Sequence, residues 1–275
     1  MTWVSLFCVG LLAMDAGESE GTITRITLEY SPAAVDNPMK GLVPYAGEGR
    51  RFPHSLEFDY VGLNEVMTGY DSFDWAPLEE RLNAIAGRGH QAVFRVFLEY
   101  PGRLGVIPEF LIRDGLTIHR YEVADTNGKE VETPDYEDER LRKALQSFIA
   151  AMGARYDGDP RLGFLTAGLL GHWGEWHTYP RSELFASKTV QEEVMDAFEA
   201  AFKTTPILLR YPAGDQDPRM ASNARRGFGY HDDSFAWATL ETGRRNDFWF
   251  FLALIRAAGP EALAKWKTHP IGGEI

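Results

Sequence analysis

The stretch from Arg161 to Tyr179, RLGFLTAGLLGHWGEWHTY, constrains the fold of this chain more than any other. It begins with a largely apolar run, Leu162 to Leu170, and a run that is apolar on both faces is typical of a strand buried in a parallel sheet. One carboxylate, two indoles and two imidazoles follow: Glu175, Trp173, Trp176, His172 and His177. Such a cluster after a buried strand is typical of the active-site end of an α/β barrel. We therefore predict an active-site carboxylate at Glu175; the alternative is a salt-bridged glutamate in an aromatic patch.

Predicted strands and helices alternate along the chain, with no half that is rich in only one of them. Seven predicted strands begin at Gly41, Leu56, Gln91, Arg161, Pro206, Phe228 and Pro270. This alternation indicates an α/β fold with a parallel sheet and crossover helices. The interpretation is a (β/α)8 TIM-type barrel, truncated after strand seven. No GxGxxG motif follows a strand, so a doubly wound nucleotide-binding fold is the less favoured architecture.

Apolar periodicity predicts the helices between these strands. One helix starts near Trp75, and the others are expected at Asp138–Tyr156, Lys188–Phe202, weakly at Arg219–Arg226, and at Asn246–Thr268 with an interruption at Gly259. Residues 101–134 carry scattered glycine and proline and are interpreted as an excursion between a strand and a helix.

Composition excludes some classes of function. The net charge of −12 and the absence of a basic stripe argue against binding of nucleic acid, which is itself a polyanion. Cys8 is the only cysteine, so neither an intrachain disulfide nor a cysteine-based metal site can form. Seven tryptophans suit a sugar-binding cleft, although a large barrel core also accommodates aromatic rings.

Residues 1–21 contain the apolar run WVSLFCVGLLAM, which has the length of an export signal and is too short to span a bilayer. No basic residue precedes it, so the alternative is an N-terminal segment that packs on the domain. An export signal would make the protein secreted or periplasmic. The remainder, 22–275, is interpreted as a single barrel domain, with TITRITLEY at residues 22–30 as a strand outside the main unit.

Two sets of motifs resemble two known groups of barrel proteins. The pattern VGLNEVMTGYDSFDWAPLEERLNAIAGRGHQAVFRVF looks like the second and third units of clan A glycoside hydrolase barrels. The order NPMKGLVPY, GHWGEWH and PIGGEI resembles a group of uncharacterised, mostly exported bacterial barrel proteins that are described as glycosidase-like. The resemblance covers roughly residues 37–275 and implies a carbohydrate substrate.

The resemblance also implies the catalytic residues. Clan A enzymes carry an acid/base glutamate at the end of strand four and a nucleophile at the end of strand seven, which correspond here to Glu175 and Glu274. A retaining enzyme needs these two carboxyls about 5–5.5 Å apart. The clan commonly has Asn just before the acid/base, and this chain has Gly174 there, so His172 or His177 would have to replace that contact to the sugar.

Environment suggests how the two glutamates could divide the work. Flanking indoles would desolvate Glu175 and keep it protonated as the general acid, whereas Arg95 or Arg210 would keep Glu274 ionised. The alternative for Glu274 is an exposed carboxylate near a chain end. Further substrate-binding candidates come from predicted strand ends and from the cluster above: Asn64, Glu65, Arg95, Glu99, His172, Trp173, Trp176, His177, Arg210, Tyr211, His231, Asp232 and Asp233. For the acidic members of this set, the alternative is ion pairing at the barrel rim.

The leading hypothesis is a retaining glycoside hydrolase that acts on an unidentified oligosaccharide or polysaccharide. One alternative is a carbohydrate-binding barrel without turnover. The other is a metal-dependent hydrolase built from His172, His177, His231 and Asp232, although the sequence has no HExxH spacing and we predict neither a metal nor a cofactor. Because only Ile275 follows Glu274, we also expect an incomplete barrel with an open seam beside Glu274. The alternative is a seven-stranded barrel that is closed by the strand at residues 22–30 or by the N-terminal segment.

Overall fold

The computed structural model describes residues 43–48, 53–123, 126–244 and 246–274, all of which belong to one compact unit, Ala34–Ile275. The predicted leader at 1–21 and the predicted strand at 22–30 lie outside the described residues. So do the first residues of the predicted strand that begins at Gly41.

Ten strands occur in the described part of the chain. They are β1 Leu56–Gly62, β2 Met67–Gly69, β3 Ser72–Phe73, β4 Gln91–Phe97, β5 Ile118–Val123, β6 Lys129–Pro134, β7 Leu162–Thr166, β8 Ile207–Leu209, β9 Gly229–Asp232 and β10 Ile271–Gly273. The α-helices are α1 Leu63–Val66, α2 Ala76–Ala86, α3 Glu109–Arg113, α4 Glu139–Tyr156, α5 Lys188–Ala201, α6 Phe251–Ala258 and α7 Pro260–Ala264. Short 3₁₀ turns lie at Ser182–Leu184, Asp247–Trp249 and Lys265–Lys267.

Six strands form one sheet in the order β1-β4-β7-β8-β9-β10, and every neighbouring pair is parallel. Chain order and spatial order therefore agree, which is how a (β/α) barrel is built. Ahead of β1, the amide of Phe58 donates to Pro44 O at 2.8 Å and the amide of Ala46 donates to Phe58 O at 2.8 Å, in a parallel bridge. This bridge lies where the first predicted strand ends. The predicted α/β barrel class is confirmed.

The helices cover the outer face of this sheet because each presents one apolar stripe. On α4, Leu141, Leu145, Phe148 and Met152 are buried at helical spacing. Asp138 caps this helix by accepting a hydrogen bond from the amide of Arg140 at 2.8 Å. Among the described residues, no helix is both long and apolar enough to cross a membrane.

Two predicted elements differ from the structure. Residues 219–226 are not helical, because the side chain of Asn223 pairs with the backbone of Ala213 and Tyr211 and holds the segment as a compact loop. The excursion at residues 101–134 contains helix α3 and an antiparallel hairpin, β5-β6.

The face of the sheet opposite the helices has two layers. Its lower layer is a small apolar cluster, separate from the main core: Leu56, Phe58, Val93, Phe164 and Leu208. Strand side chains alternate between faces, so the residue two positions later points the same way. That rule places Tyr60, Arg95 and Arg210 in an upper, polar layer at the C-terminal ends of the strands.

On the far side of the sheet, β10 pairs with β9 only, within the described residues. Even so, Glu274, which follows β10, is bridged to the first strands through side chains: Tyr60 Oη donates to Glu274 Oε1 at 2.9 Å and Tyr45 Oη lies 3.3 Å from the same oxygen.

Candidate active site

The upper layer brings side chains from all parts of the sheet to one place. Tyr60 comes from β1, Arg95 from β4, Arg210 follows β8, His231 and Asp233 belong to the end of β9, and Glu274 follows β10. The ring of His231 stacks on Phe58 with centroids 5.6 Å apart, so His231 faces the inside of the barrel at the end of β9. Because parallel strands end at the same edge, these groups meet at one mouth of the barrel.

Arg95 lies at the centre of this group. Its side chain is 0% exposed and forms an ion pair with Asp233 through Nη2. The same nitrogen is 3.2 Å from His231 Nδ1, while Nη1 donates to Tyr60 Oη at 3.2 Å and lies 3.5 Å from Glu175 Oε1. One buried guanidinium therefore contacts four other ionisable side chains.

Asp233 is the ionised carboxylate of the cluster. Burial by itself would raise its pKa, but the cations of Arg95 and Arg210 and the hydrogen bond from His231 outweigh burial and hold the pKa well below the usual range. The carboxylate is 2.7 Å from His231 Nδ1, and its second oxygen is 3.2 Å from Arg210 Nε.

Glu175 behaves in the opposite way. Burial raises its pKa to about 8 and the negative charge of Asp233 adds to this effect, against the opposing influence of Arg95, Arg210 and Tyr60. The side chain is 15% exposed, so it remains within reach of a ligand. Its second oxygen lies 3.6 Å from His177 Nε2.

Glu274 has one oxygen held and one oxygen available. Oε1 accepts the hydroxyls of Tyr60 and Tyr45, whereas Oε2 is buried without a hydrogen-bond partner. Burial raises the pKa of Glu274, Asp233 adds to the increase, and Arg95 and His231 oppose it.

Unsatisfied polar atoms concentrate in this cluster. Among the described residues, five buried side-chain atoms make no hydrogen bond, and four of them belong to this cluster: Arg95 Nε, Arg210 Nε, Asp233 Oδ2 and Glu274 Oε2. Arg210 Nε and Asp233 Oδ2 face each other as an ion pair at 3.2 Å, which leaves Arg95 Nε and Glu274 Oε2 for a ligand or solvent to satisfy. A buried polar group without a partner costs about 1–3 kcal/mol, so such a concentration is expected where a ligand or solvent completes the site.

The loop after β7 positions Glu175 with a strained backbone. Leu169, Trp173 and Trp176 all have positive φ, at 70°, 54° and 61°. Gly174 has φ 74°, and a Cβ there would lie 3.1 Å from Arg95 Cδ and 3.1 Å from Val96 O. The glycine found at the position where clan A enzymes commonly carry Asn therefore fits tightly against Arg95.

The two indoles beside Glu175 have different surroundings. Trp176 is 1% exposed and its Nε1 donates to Ala167 O at 2.8 Å, so it lies in the core rather than in a cleft. The ring of Trp173 is half-buried, with Tyr100 at 6.2 Å and His177 at 6.1 Å. Of the two, only Trp173 is placed to contact a ligand, because Trp176 points in the opposite direction.

Glu99 and His172 form a separate buried network. Glu99 accepts the hydroxyls of Thr133 and Tyr136, and burial raises its pKa to about 8 despite these hydrogen bonds. His172 Nε2 is 2.9 Å from Tyr121 Oη and 3.8 Å from Glu99. Burial and the neighbouring His177 lower the pKa of His172 to about 3, so its imidazole is neutral. Their backbones form a parallel bridge, and the amide of Trp173 donates to Glu99 O at 3.0 Å, so this network adjoins the Glu175 loop.

Three predicted substrate-binding residues are engaged elsewhere, and a fourth lies at the edge of the site. Asn64 donates to Gly105 O at 3.1 Å, and Glu65 accepts from the amide of Gly62 at 2.9 Å and from Arg81 at 2.7 Å. Asp232 faces away from Arg95 and accepts from Thr239 Oγ1 at 2.5 Å. The remaining one, Tyr211, is half-buried beside Arg210, whose guanidinium carbon is 5.8 Å from its ring centre.

The histidines proposed for a metal centre do not converge, since His172 and His177 lie with Trp173 whereas His231 lies with Asp233. Among the residues that the structure describes, two other groups have ligand atoms within 4.8 Å of one another: His231, Asp233 and Glu274 in the upper layer, and His54, Glu57 and His90 near the start of β1. A cation already contacts each group, because Arg95 pairs with Asp233 and Arg88 pairs with Glu57 at 2.6 Å. These donor sets do not suit a metal ion as they stand.

Sequence reasoning missed Tyr45 and Tyr60, the two hydroxyls that hold Glu274. The sequence does contain a signal for Tyr60. It lies two positions after Phe58, on the same face of the strand, and the other inward residues of that strand are apolar. No comparable signal marks Tyr45.

Comparison with solved structures finds the same fold in the catalytic domain of a beta-amylase, a glycoside hydrolase. The catalytic domain of beta-amylase from Paenibacillus polymyxa superposes with a TM-score of 0.51 at 11% identity, over 80% of this chain and 78% of that domain. Endo-glycoceramidase II from Rhodococcus sp. gives a TM-score of 0.47 at 12% identity over 79% of this chain, which spans 56% of that protein. No protein-family model and no curated protein matches the sequence. The sequence resemblance to glycoside hydrolase barrels is thus confirmed at the level of the fold.

Proposed function

We propose that this protein is a glycoside hydrolase in which Glu175 is the general acid and Glu274 is the carboxylate that acts on the anomeric carbon. The observation that carries the proposal is the pairing of two unlike carboxyls around Arg95 and Tyr60. Burial raises the pKa of Glu175 to about 8, and Glu274 has one oxygen fixed by tyrosines and one oxygen without a partner. Carboxyls with distinct environments flanking a shared space are what glycoside hydrolysis requires.

The chemistry follows from these contacts. Protonated Glu175 donates its proton to the glycosidic oxygen as the bond from that oxygen to the anomeric carbon breaks. Glu274 Oε2 forms a bond to the same carbon, while Tyr60 and Tyr45 hold Oε1. Water then attacks the anomeric carbon, Glu175 takes the proton from that water, and Glu274 is released. Asp233 stays ionised and balances the charge of Arg95 throughout.

Retention of configuration is part of the proposal. It requires a separation of about 5–5.5 Å between the Glu175 and Glu274 carboxyls when substrate is bound, whereas a wider gap that admits water would give inversion. The anomer released first, observed by proton NMR during hydrolysis, distinguishes the two outcomes.

The test of the proposal is a screen of glycans and aryl glycosides with the intact protein, followed by Glu175→Gln on any substrate that is cleaved. We expect the variant to lose about 10²- to 10⁴-fold in kcat on substrates with a poor leaving group. Bond cleavage in a dinitrophenyl glycoside should be affected far less, because that leaving group needs no proton. The matched control is Glu183→Gln, an exposed glutamate of the same loop region that pairs with Arg181.

Near-normal turnover of a poor-leaving-group substrate by Glu175→Gln would refute the assignment. Loss of all activity with a chelator would instead favour a metal-dependent hydrolase.

Carbohydrate binding without turnover is the second candidate function. The observation that favours it is the central position of Arg95, whose contact with Glu175 at 3.5 Å stabilises the ionised form of the residue proposed as acid. Glycans that bind but are not cleaved in the same screen would support this function.

A further inference from the structure

The segment between β9 and α6, residues 233–250, exposes several large aromatic side chains. Trp237 is 76% exposed and Phe248 is 72% exposed. The rings of Trp237 and Trp249 have centroids 5.6 Å apart with an interplanar angle of 47°. Single exposed apolar residues are common, but adjoining aromatic rings at the surface indicate a contact site. We refer to Trp237 and Trp249 together as the aromatic platform.

Hydrogen bonds hold the platform in one shape. Thr239 Oγ1 donates to Asp232 Oδ2 at 2.5 Å and accepts from the amide of Ala236 at 2.9 Å. Ala236 has φ 67°, a conformation that costs a non-glycine residue free energy and directs the next residue, Trp237, outward. The amide of Phe251 donates to Ala238 O at 3.0 Å. A surface fixed in this way binds without first paying for ordering.

The platform is continuous with the carboxylate cluster, by which we mean Glu175, Asp233 and Glu274. Trp249 lines the same cleft as Arg210, His231 and Asp233. The amide of Phe235 donates to Glu274 O at 2.8 Å, and the amide of Glu274 donates to Asp232 O at 2.9 Å. The segment that carries the indoles is therefore bonded directly to the backbone of Glu274.

We infer that the aromatic platform binds pyranose units of a polysaccharide that extends beyond the carboxylate cluster. A pyranose ring offers C–H groups on its flat face, which suit an indole, and hydroxyls at its rim, which suit the arginine and carboxylates of the adjoining cleft. A purely apolar protein partner would offer no hydrogen bond to these polar side chains. This inference rests on the proposed function, because it makes the platform a subsite of the proposed active-site cleft.

The experiment uses affinity electrophoresis of the whole protein in gels that contain soluble starch, hydroxyethyl cellulose or galactomannan. Both platform and control variants are made in a Glu175→Gln background, so that turnover does not erode the gel. Trp237→Ala removes the most exposed indole of the platform. Trp266→Ala is the matched control, because Trp266 is 67% exposed and lies in the turn Lys265–Lys267, outside the segment that carries the platform.

We expect at least one polysaccharide to retard the protein, Trp237→Ala to weaken that binding by roughly tenfold in Kd, and Trp266→Ala to leave it unchanged. Equal retardation of Trp237→Ala and the parent, or retardation by none of the three polysaccharides, overturns the inference. So does sedimentation that shows a dimer for the parent and a monomer for Trp237→Ala, because the platform would then be an interface between two copies of this chain.

The two proposals fail separately. Polysaccharide binding that depends on Trp237, in a protein that cleaves no glycan, would refute the proposed hydrolase and support the aromatic platform. Cleavage that depends on Glu175 but not on Trp237 would do the reverse.

Discussion

Replacement of Arg95 by methionine tests whether one buried cation holds the site together. Methionine retains much of the apolar stem that packs near Phe58 and Tyr60, each with its ring centre 5.6 Å from the guanidinium carbon. What the variant loses is the charge. Asp233, with a side chain 1% exposed, then has only Arg210 and His231 to balance it.

The magnitude follows from the burial of both partners. Removal of one member of a buried ion pair leaves an uncompensated charge and costs about 3–5 kcal/mol. A domain of this kind has a free energy of unfolding of about 5–15 kcal/mol, so Arg95→Met should fold but with much of its margin gone. We expect the loss at pH 7 to fall in the upper half of this range, about 4–5 kcal/mol, because three carboxyls share the cluster.

The loss should depend on pH in a defined direction. The folded pKa of Asp233 lies below its unfolded value of about 3.9, so the Arg95 pair stabilises the protein above that pH and ceases to do so as pH falls through the folded pKa. In Arg95→Met, burial instead raises the pKa of Asp233, and the variant regains stability as it binds a proton. The difference between parent and variant should therefore shrink between pH 7 and about pH 4.

Urea unfolding followed by tryptophan fluorescence at several pH values measures both effects. Arg225→Met is the control, since Arg225 is 69% exposed and pairs with Asp215 and Glu261 at the surface; its loss should stay below about 1 kcal/mol. Adding Asp233→Asn to Arg95→Met removes the stranded charge and should restore at least half of the lost stability at pH 7. An Arg95→Met protein as stable as the parent at pH 7, or a loss that does not change with pH, would refute the reasoning.

Three further predictions concern Glu175 and its loop. If the proposed hydrolase is active, kcat/KM should fall at alkaline pH with an apparent pKa near 8, as Glu175 loses its proton, and a profile flat to pH 9.5 would contradict the role of Glu175. The folded pKa of Glu175 lies above its unfolded value, so the stability that its protonated form contributes is full below about pH 4.3 and is lost as pH rises through about 8. The parent should lose this stability between pH 5 and pH 8, whereas Glu175→Gln should not. The free energy of unfolding of Glu175→Gln minus that of the parent, measured with urea, should therefore be larger at pH 8 than at pH 5. Gly174→Ala should lower the free energy of unfolding by about 1–3 kcal/mol, and the control Gly89→Ala by about 1 kcal/mol. Both glycines have positive φ, but only Gly174 is packed against neighbours. Equal losses of stability in thermal unfolding would show that the contact with Arg95 is unimportant.

The strands of the main sheet were predictable because their chemistry is constrained on both faces. β4 begins at Gln91 as predicted, and β7 begins at Leu162, one residue after the predicted start. A strand between helices and a barrel interior tolerates polar residues mainly at its C-terminal end. An apolar run that changes abruptly to polar groups therefore indicates both the strand and the end that carries the site.

Elements held by side-chain hydrogen bonds were not predictable in the same way. The hairpin β5-β6 has strands of mixed charged and apolar residues, and one of its contacts is the ion pair of Arg120 with Glu132 at 2.6 Å. Residues 219–226 have the composition of a weak helix, but Asn223 holds them as a loop. In both cases a few specific partners outweigh average propensity.

Within the site, sequence identified the strand ends but not the direction of each side chain in the loops. Trp173 and Trp176 are three residues apart, and left-handed backbone at both sends one toward Tyr100 and the other into the core. Trp176 is buried in the core and does not flank Glu175 in a cleft as the sequence suggested. Glu175 is instead surrounded by the upper polar layer, and the charge of Asp233 contributes to its raised pKa.

Asp232 and Asp233 show why strand parity decides function here. The two residues were equivalent candidates in the sequence, and either could have paired with His231. Alternation places His231 and Asp233 on the inward face, where Phe58 stacks on the imidazole and Arg95 pairs with the carboxylate. Asp232 points the other way and fixes Thr239 beneath the aromatic platform. A shift of one residue in the register of β9 would exchange these partners, so the pairing of Tyr230 with Leu209 determines which carboxylate balances Arg95.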